Sequence, residues 1–296
     1  METNELKGLL KETKYEKFSG SVFPMELKEY VYNDLFKCGN DNTGYFVLKI
    51  RNKNQKNVFD SINRLNSIND QEKFIHKYTD IIEKNGFLIM AFDWIKGFQP
   101  IDNNRKYLPM FFAKLAKFNK GNIVKSYFTS MYVDGNYFNT IGELIEFEIN
   151  SHRNYLIDII DIKLIMEILS VLKQGMATVI LEDMNTGNLF VTDKGEYKFI
   201  DTDWIINGLN LYQFEKIDYF GFDERQWYNV NEEAKECYIA YFETLGIKFS
   251  EANEQIRAFE LLQVIRKNSF IKCLGKDDDD ETNRRIKIVI EKDKYI

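Results

Sequence analysis

Apolar residues run in short blocks through the first third of the chain and recur at helical spacing through most of the remainder. Residues 1 to 12 read as a short helix. Tyr15–Met25, Leu27–Lys37 and Tyr45–Arg51 read as strands of an antiparallel meander separated by turn residues. Val58, Ile62 and Leu65 fall at helical spacing and predict a helix over Asn57–Asn66, with a shorter one over Asp70–Lys77. Ile81–Phe92 holds two strands split at Lys84-Asn85-Gly86. The second, from Phe87, is continuously apolar and is expected to be buried on both faces. Thereafter the period changes. Leu108, Phe111, Phe112, Leu115 and Phe118 mark one face of a helix over Arg105–Asn119, and further helices are expected over Ile141–Asn150, Asp161–Leu172, Glu232–Leu245 and Ser250–Lys267. From Arg284 onward the pattern fits alternation and helical spacing equally. Strands first and helices afterwards make this an α+β chain.

Composition adds little to that outline except at a few points. Of the 296 residues, 44% are hydrophobic and 29% charged, ordinary for a globular protein that can bury one large core or two modest ones. The formal charge of −6 disfavours nucleic acid as a partner and suits a neutral or cationic ligand. Cys38, Cys237 and Cys273 are odd in number and without CxxC spacing, so neither a disulfide framework nor a zinc site is expected. No apolar run approaches a membrane span or a signal peptide, and a cytoplasmic protein with no membrane partner is expected. His76 and His152 have no partners at ligand spacing and read as structural.

Candidate chemistry concentrates around one predicted hairpin. Leu189–Thr192 and Tyr197–Ile200 flank Asp193-Lys194-Gly195, a turn signal with glycine where positive φ is wanted. Asp183 and Asn188 precede the first strand, while Asp201 and Asp203 follow the second, so closing the hairpin gathers them. An Asp, four residues, an Asn, a hairpin and a further Asp is the order that phosphoryl transfer from a nucleotide uses. The first Asp orients the acceptor hydroxyl, and the Asn oxygen and the later Asp hold Mg2+ on the phosphates.

Here the sequence resembles the protein-kinase-like superfamily, within it the aminoglycoside and choline phosphotransferase branch, through Gly187-Asn188 and Asp201-Thr202-Asp203 in place of Asp-Phe-Gly. The resemblance implies a bilobal fold, with a small antiparallel-sheet lobe over residues 1–96 that covers the nucleotide and a larger, mostly helical catalytic and substrate lobe over 97–296. It implies that Lys49, the one charged residue inside Tyr45–Ile50, binds the α- and β-phosphates; by pattern alone Lys49 is equally the outward position of an edge strand. Ser19-Gly20-Ser21 becomes the candidate phosphate-covering turn, or else a strand bulge. Asp60 becomes the acid that pairs with the lysine, or else a solvent-facing residue. Asp93-Trp94-Ile95-Lys96-Gly97 resembles the hinge, where main-chain groups of Asp93 and Ile95 read the adenine edge; the alternative is a strand ending at a glycine turn. Asp203 either reaches a second metal through water or caps a following helix. Tyr212, Phe214, Tyr219, Phe220, Phe222, Trp227 and Tyr228, interleaved with carboxylates, either wall an acceptor pocket or form core.

One departure stands out. The family opens the catalytic loop with His, and Leu181-Glu182 stand before Asp183 here. The expected activity is ATP-dependent phosphorylation of a small-molecule hydroxyl, the acceptor being aminoglycoside-, choline- or amino-sugar-like. The alternative is a weak or inactive kinase-like nucleotide-binding module. A haloacid-dehalogenase-like reading of Ile200–Asp203 needs a parallel α/β chain, which the hairpin opposes.

Overall fold

The computed structural model describes residues 3–25, 34–52, 64–65, 67–100, 102–126, 128–129, 137–152, 162–181, 184–201, 205–214, 232–273 and six residues between 283 and 290. The chain folds as two compact units. One comprises Met1–Ser67 and Ile75–Gly97, and the other comprises Ile68–Phe74 and Phe98–Ile296.

The first unit is built on a five-stranded sheet of order β1-β2-β3-β5-β4, with β1 Val22–Pro24, β2 Asp34–Asn40, β3 Gly44–Asn52, β4 Asp80–Lys84 and β5 Phe87–Asp93. Every neighbouring pair is antiparallel. The β4–β5 hairpin turns through Asn85 and Gly86 at φ +50° and +79°, the left-handed pair that a two-residue turn requires. Alternation along the strands divides the sheet into two faces. Phe36, Cys38, Leu48, Ile50, Ile89 and Ala91 form one, and Leu6, Leu9 and Leu10 of helix α1 (Thr3–Leu10) cover it. Leu88, Met90 and Phe92, with Val47 and Ile81, form the other.

Two predicted elements differ. Within Tyr15–Met25 only Val22–Pro24 is strand, and Glu16–Phe18 is a 3-10 turn. Tyr15 and Phe18, three residues apart, both pack their rings on Phe46 at centroid distances of 5.6 and 4.8 Å, a spacing that suits a threefold turn. Asp70–Lys77 is not helical either. Asp70 Oδ1 accepts from the Phe74 N–H at 2.7 Å, Lys73 takes φ +50°, and the Phe74 carbonyl accepts from the Phe199 N–H at 2.7 Å.

Gly97–Phe98 (β6) carries the chain from one unit to the other. In the second unit α2 (Leu108–Gly121) lies against α5 (Glu232–Leu245), and the Phe214 ring is stacked between Phe112 at 4.6 Å and Tyr238 at 4.2 Å. A two-stranded ladder, β7 (Phe128–Thr129) with β8 (Tyr137–Phe138), leads into α3 (Ile141–His152) and α4 (Ile162–Ser170). The long α6 (Phe249–Cys273) buries Ile256, Phe259, Leu261, Leu262, Val264 and Ile265, which lie all round its axis, as a helix inside a core must. Asn210, Gln213 and the Tyr212 and Phe214 rings are buried, so these two rings are core rather than the wall of a pocket. Four further strands complete the described part of the unit: β9 (Ala177–Leu181) pairs antiparallel with β12 (Ile205–Leu209), and β10 (Leu189–Thr192) pairs antiparallel with β11 (Tyr197–Phe199).

Among the described residues Cys38 and Cys237 are free and buried, and no helix is long and apolar enough to cross a membrane.

Candidate functional site

Lys49 lies on β3, the middle strand of the sheet, paired with Leu35 on one side and Met90 on the other. It is 3% exposed, so it is not the outward residue of an edge strand. Its face is the one opposite α1. Val47, Met90 and Phe92 share that face, and Arg51, two residues along, is also buried there. A lysine taken out of water on such a surface must be engaged by an acceptor, because burying an unpaired ammonium costs far more than a strand position returns. The candidate acid, Asp60, lies outside the described residues.

Ser19-Gly20-Ser21 sits ahead of β1, not between β1 and β2. The Ser21 N–H donates to the Phe18 carbonyl at 2.8 Å, and its carbonyl accepts from Gly39 N–H at 3.1 Å. The Ser21 amide is therefore committed to the turn. The β1–β2 connection, where the resembled family carries its phosphate-covering turn, spans residues that lie mostly outside those described.

At the far end of β5, Asp93 is exposed and Trp94 and Ile95 are half-buried. Three residues separate the end of β5 from the two-residue β6, and Gly97 is not among the glycines with positive φ. The Lys37 ammonium stands 3.9 Å from the Tyr45 ring centroid and 4.5 Å from that of Trp94, a cation held between two aromatic rings beside this segment. His76, read from sequence as structural, stacks on Phe92 at 5.7 Å and places Nε2 2.8 Å from the Asp93 carbonyl oxygen.

In the second unit the hairpin forms as expected. Leu189 pairs with Phe199, and the Ile200 N–H donates to the Asn188 carbonyl at 2.8 Å, so Asn188 and Asp201 are gathered at the open end of the ladder. Gly195 supplies φ +75° at the turn. Asp201 itself has φ +59°, a left-handed backbone for a residue other than glycine, which costs on the order of 1 kcal/mol or more and collects at functional sites. Asn188 and Asp201 present an amide oxygen and a carboxylate, the hard donors that Mg2+ takes. Among the described residues no group of three or more His, Cys, Asp or Glu could hold a metal. Asp183 and Asp203, the remaining candidates at this end, lie outside them.

The loop entering the hairpin is braced by side chains that sequence reasoning did not single out. Asn185 Oδ1 accepts from the Gly187 N–H at 2.9 Å, and a Cβ on Gly187 would stand 3.0 Å from that oxygen. Gln99 Nε2 donates to the Gly187 carbonyl at 2.7 Å. Only the Asn185-to-Gly187 spacing is a local signal; Gln99 is 88 positions away.

No protein-family model and no curated protein sequence matches the chain. Solved structures do. A ternary complex of a thermostable mutant of the aminoglycoside phosphotransferase APH(4)-Ia with AMP-PNP and hygromycin B aligns with TM-score 0.61 at 14% identity, covering 97% of this chain and 98% of that one. The chain has a protein-kinase-like fold. Two further kinase-like structures agree: an aminoglycoside phosphotransferase from Alicyclobacillus acidocaldarius at TM-score 0.56 and 10% identity, covering 92% of this chain and 89% of that one, and a Plasmodium vivax ethanolamine kinase at TM-score 0.53 and 14% identity, covering 97% and 84%. The kinase-like fold thus runs the length of the chain, while identities of this size establish architecture and not activity.

Proposed function

We propose that the chain is an ATP-dependent phosphotransferase that acts on a hydroxyl of a small molecule. The observation that carries this reading is the hairpin end, where the Ile200 N–H donates to the Asn188 carbonyl and the next residue, Asp201, holds a left-handed backbone. Buried Lys49 on the central strand supports it. So do the nucleotide and small-molecule ligands of the structurally similar APH(4)-Ia complex.

Residues 1–96 then form the nucleotide-covering lobe and 97–296 the catalytic and substrate lobe, a division supported by the chain's passage between its two compact units at Gly97 and Phe98. Lys49 binds the α- and β-phosphates, with Asp60 as its acidic partner, and main-chain groups of Asp93 and Ile95 read the base. Asp183 accepts the proton of the acceptor hydroxyl as the γ-phosphoryl group transfers to its oxygen, and ADP leaves. Asn188 and Asp201 would hold Mg2+, assisted by Asp203. Bound there, the ion neutralises charge on the phosphates. The protein's own contribution is alignment of the two substrates and a fixed set of charges around the phosphates. An ammonium-bearing acceptor suits the formal charge of −6, which makes aminoglycosides, choline-like amines and amino sugars the classes to screen.

The departure at Leu181-Glu182, where the resembled family carries His, raises a second reading, a nucleotide-binding module with little or no transfer. Two measurements separate them. ATP with magnesium should raise the melting temperature together, by the equivalent of about 2.7 kcal/mol at a hundredfold excess over Kd, and Asp201→Asn should abolish the magnesium dependence. Unchanged metal-dependent binding in that variant removes Asp201 from the metal site. Tight ATP binding without turnover across the acceptor screen selects the second reading.

A further inference from the structure

The Asp93 carbonyl is the last on the β4 side of β5, and it is held by a side chain. Carbonyls two residues apart on a strand point the same way. The Ala91 carbonyl, on that side, accepts from the Thr79 N–H at 2.8 Å and from its hydroxyl at 3.2 Å. Strand β4 begins only at Asp80, so no backbone N–H of that strand continues the ladder to Asp93. His76 Nε2 stands there instead, 2.8 Å from the oxygen. A carbonyl only accepts, so Nε2 carries the proton. The ring is steadied by stacking on Phe92 at 5.7 Å and 24°. The imidazole therefore fixes the orientation of the peptide that follows Asp93 and leaves that oxygen a second lone pair.

We infer that His76 is a positioning residue for base recognition: by holding the Asp93 carbonyl in place, it presents the free lone pair to the exocyclic amine of adenine and sets the preference for ATP over 6-oxo purine nucleotides. The inference deepens the proposed function and rests on it. Inosine triphosphate carries an acceptor where ATP carries the amine, so the same fixed carbonyl disfavours it.

The test compares ATP and inosine triphosphate binding by calorimetry in the wild type, His76→Phe and His76→Gln. Phenylalanine keeps the stack on Phe92 and lacks the N–H, while glutamine returns an N–H at similar reach. The expected result is an ATP affinity three- to tenfold weaker in His76→Phe, the worth of one hydrogen bond, with inosine triphosphate little changed and with the ratio recovered in His76→Gln. If an acceptor is found, KM for ATP should rise in His76→Phe with kcat retained. Equal losses for both nucleotides, or an unchanged ratio in a folded His76→Phe, overturn the assignment to His76 and leave the proposed function standing. Failure of the wild type to bind either nucleotide overturns the proposed function, and this inference with it.

Discussion

Acidification should weaken this protein through His152, and the size of the loss can be worked from its surroundings. His152 ends α3, and its Nδ1 lies 2.9 Å from the Ser269 hydroxyl oxygen on α6. Ser269 donates its proton to the Ile265 carbonyl at 3.0 Å, so Nδ1 donates to Ser269 and the neutral ring keeps Nε2 unprotonated. One turn back on α3, buried Glu148 pairs with Arg266 and accepts from the Tyr212 hydroxyl at 2.5 Å, with the guanidinium 4.8 Å from the Tyr212 ring centroid. Burial first, and then the Arg266 charge, pull the His152 pKa from 6.5 down to about 4. The unfolded chain thus binds a proton more readily than the folded one between those values, and stability rises with pH across that window. It is complete above about pH 7 and falls as the pH drops toward 4. At 1.36 kcal/mol per pH unit the ceiling is about 3.4 kcal/mol. The ring is only partly buried, and solvent screening brings the expected loss to roughly 2 kcal/mol. His152→Asn keeps a donor near the Nδ1 position and cannot titrate there. Urea unfolding of both proteins at pH 7.5, 6, 5 and 4.5 should show the wild type losing about 2 kcal/mol more than the variant, because carboxylates shared by both cancel in the difference. A wild type and variant that lose stability in parallel would refute this account of His152.

Two other substitutions address the site. Lys49→Met places an apolar chain of similar length between Leu35 and Met90, so the protein should stay folded by circular dichroism while ATP affinity falls about 10- to 100-fold, the worth of a charge-assisted hydrogen bond; wild-type affinity would remove Lys49 from the phosphate site. Asp183→Asn should leave ATP binding intact and lower transfer by about 10²- to 10⁴-fold, the usual share of a general base, and full turnover would exclude that role.

Much of this was legible along the chain, for identifiable reasons. The helical faces of α2 and α5 and the β4–β5 and β10–β11 hairpins are written in local spacing and turn residues, and they form where expected. Lys49 stood out because a charge interrupts an apolar run; that it is buried on a central strand depends on which strands flank it, and pairing order is not local. Around Tyr15 and Phe18 aromatic density mimics a strand although the spacing of the two rings is three. Asp70–Lys77 departs from the helix its spacing predicts because the Phe74 carbonyl accepts from Phe199, far along the sequence. Strand β12 carries Asn207-Gly208, a turn signal, inside a ladder. A Cβ on Gly208 would stand 3.1 Å from the Tyr212 ring, so the glycine serves close approach rather than a turn. His76 and Asp93 are 17 residues apart with no period linking them, and only the folded sheet joins them.

The departure before Asp183 is best judged by what stands in its place. A histidine that supports the loop backbone would act through hydrogen bonds, and Leu181 can make none with its side chain. Leu181 instead closes β9 against Ile205 and is 1% exposed, and Met184, on the other side of the two residues outside the described set, is equally buried. Two apolar anchors therefore bracket Glu182 and Asp183. Their combined burial is worth about 3–6 kcal/mol, at 1.5–3 kcal/mol for each side chain, against about 1 kcal/mol for a neutral hydrogen bond. The polar requirement at the strand end is met from elsewhere. Gln213, buried, receives the Leu181 N–H at 3.4 Å and donates to the Val179 carbonyl at 3.1 Å, which ties the last residues of β9 to the segment after β12. Further on, Asn185 and Gln99 hold Gly187 from both its N–H and its carbonyl, next to Asn188. The loop is thus fixed on each side of its missing imidazole by burial and by amide side chains. Replacing His by Leu at this position changes the means of support without leaving the described loop backbone unsupported, and on physical grounds the substitution alone does not argue for an inactive protein.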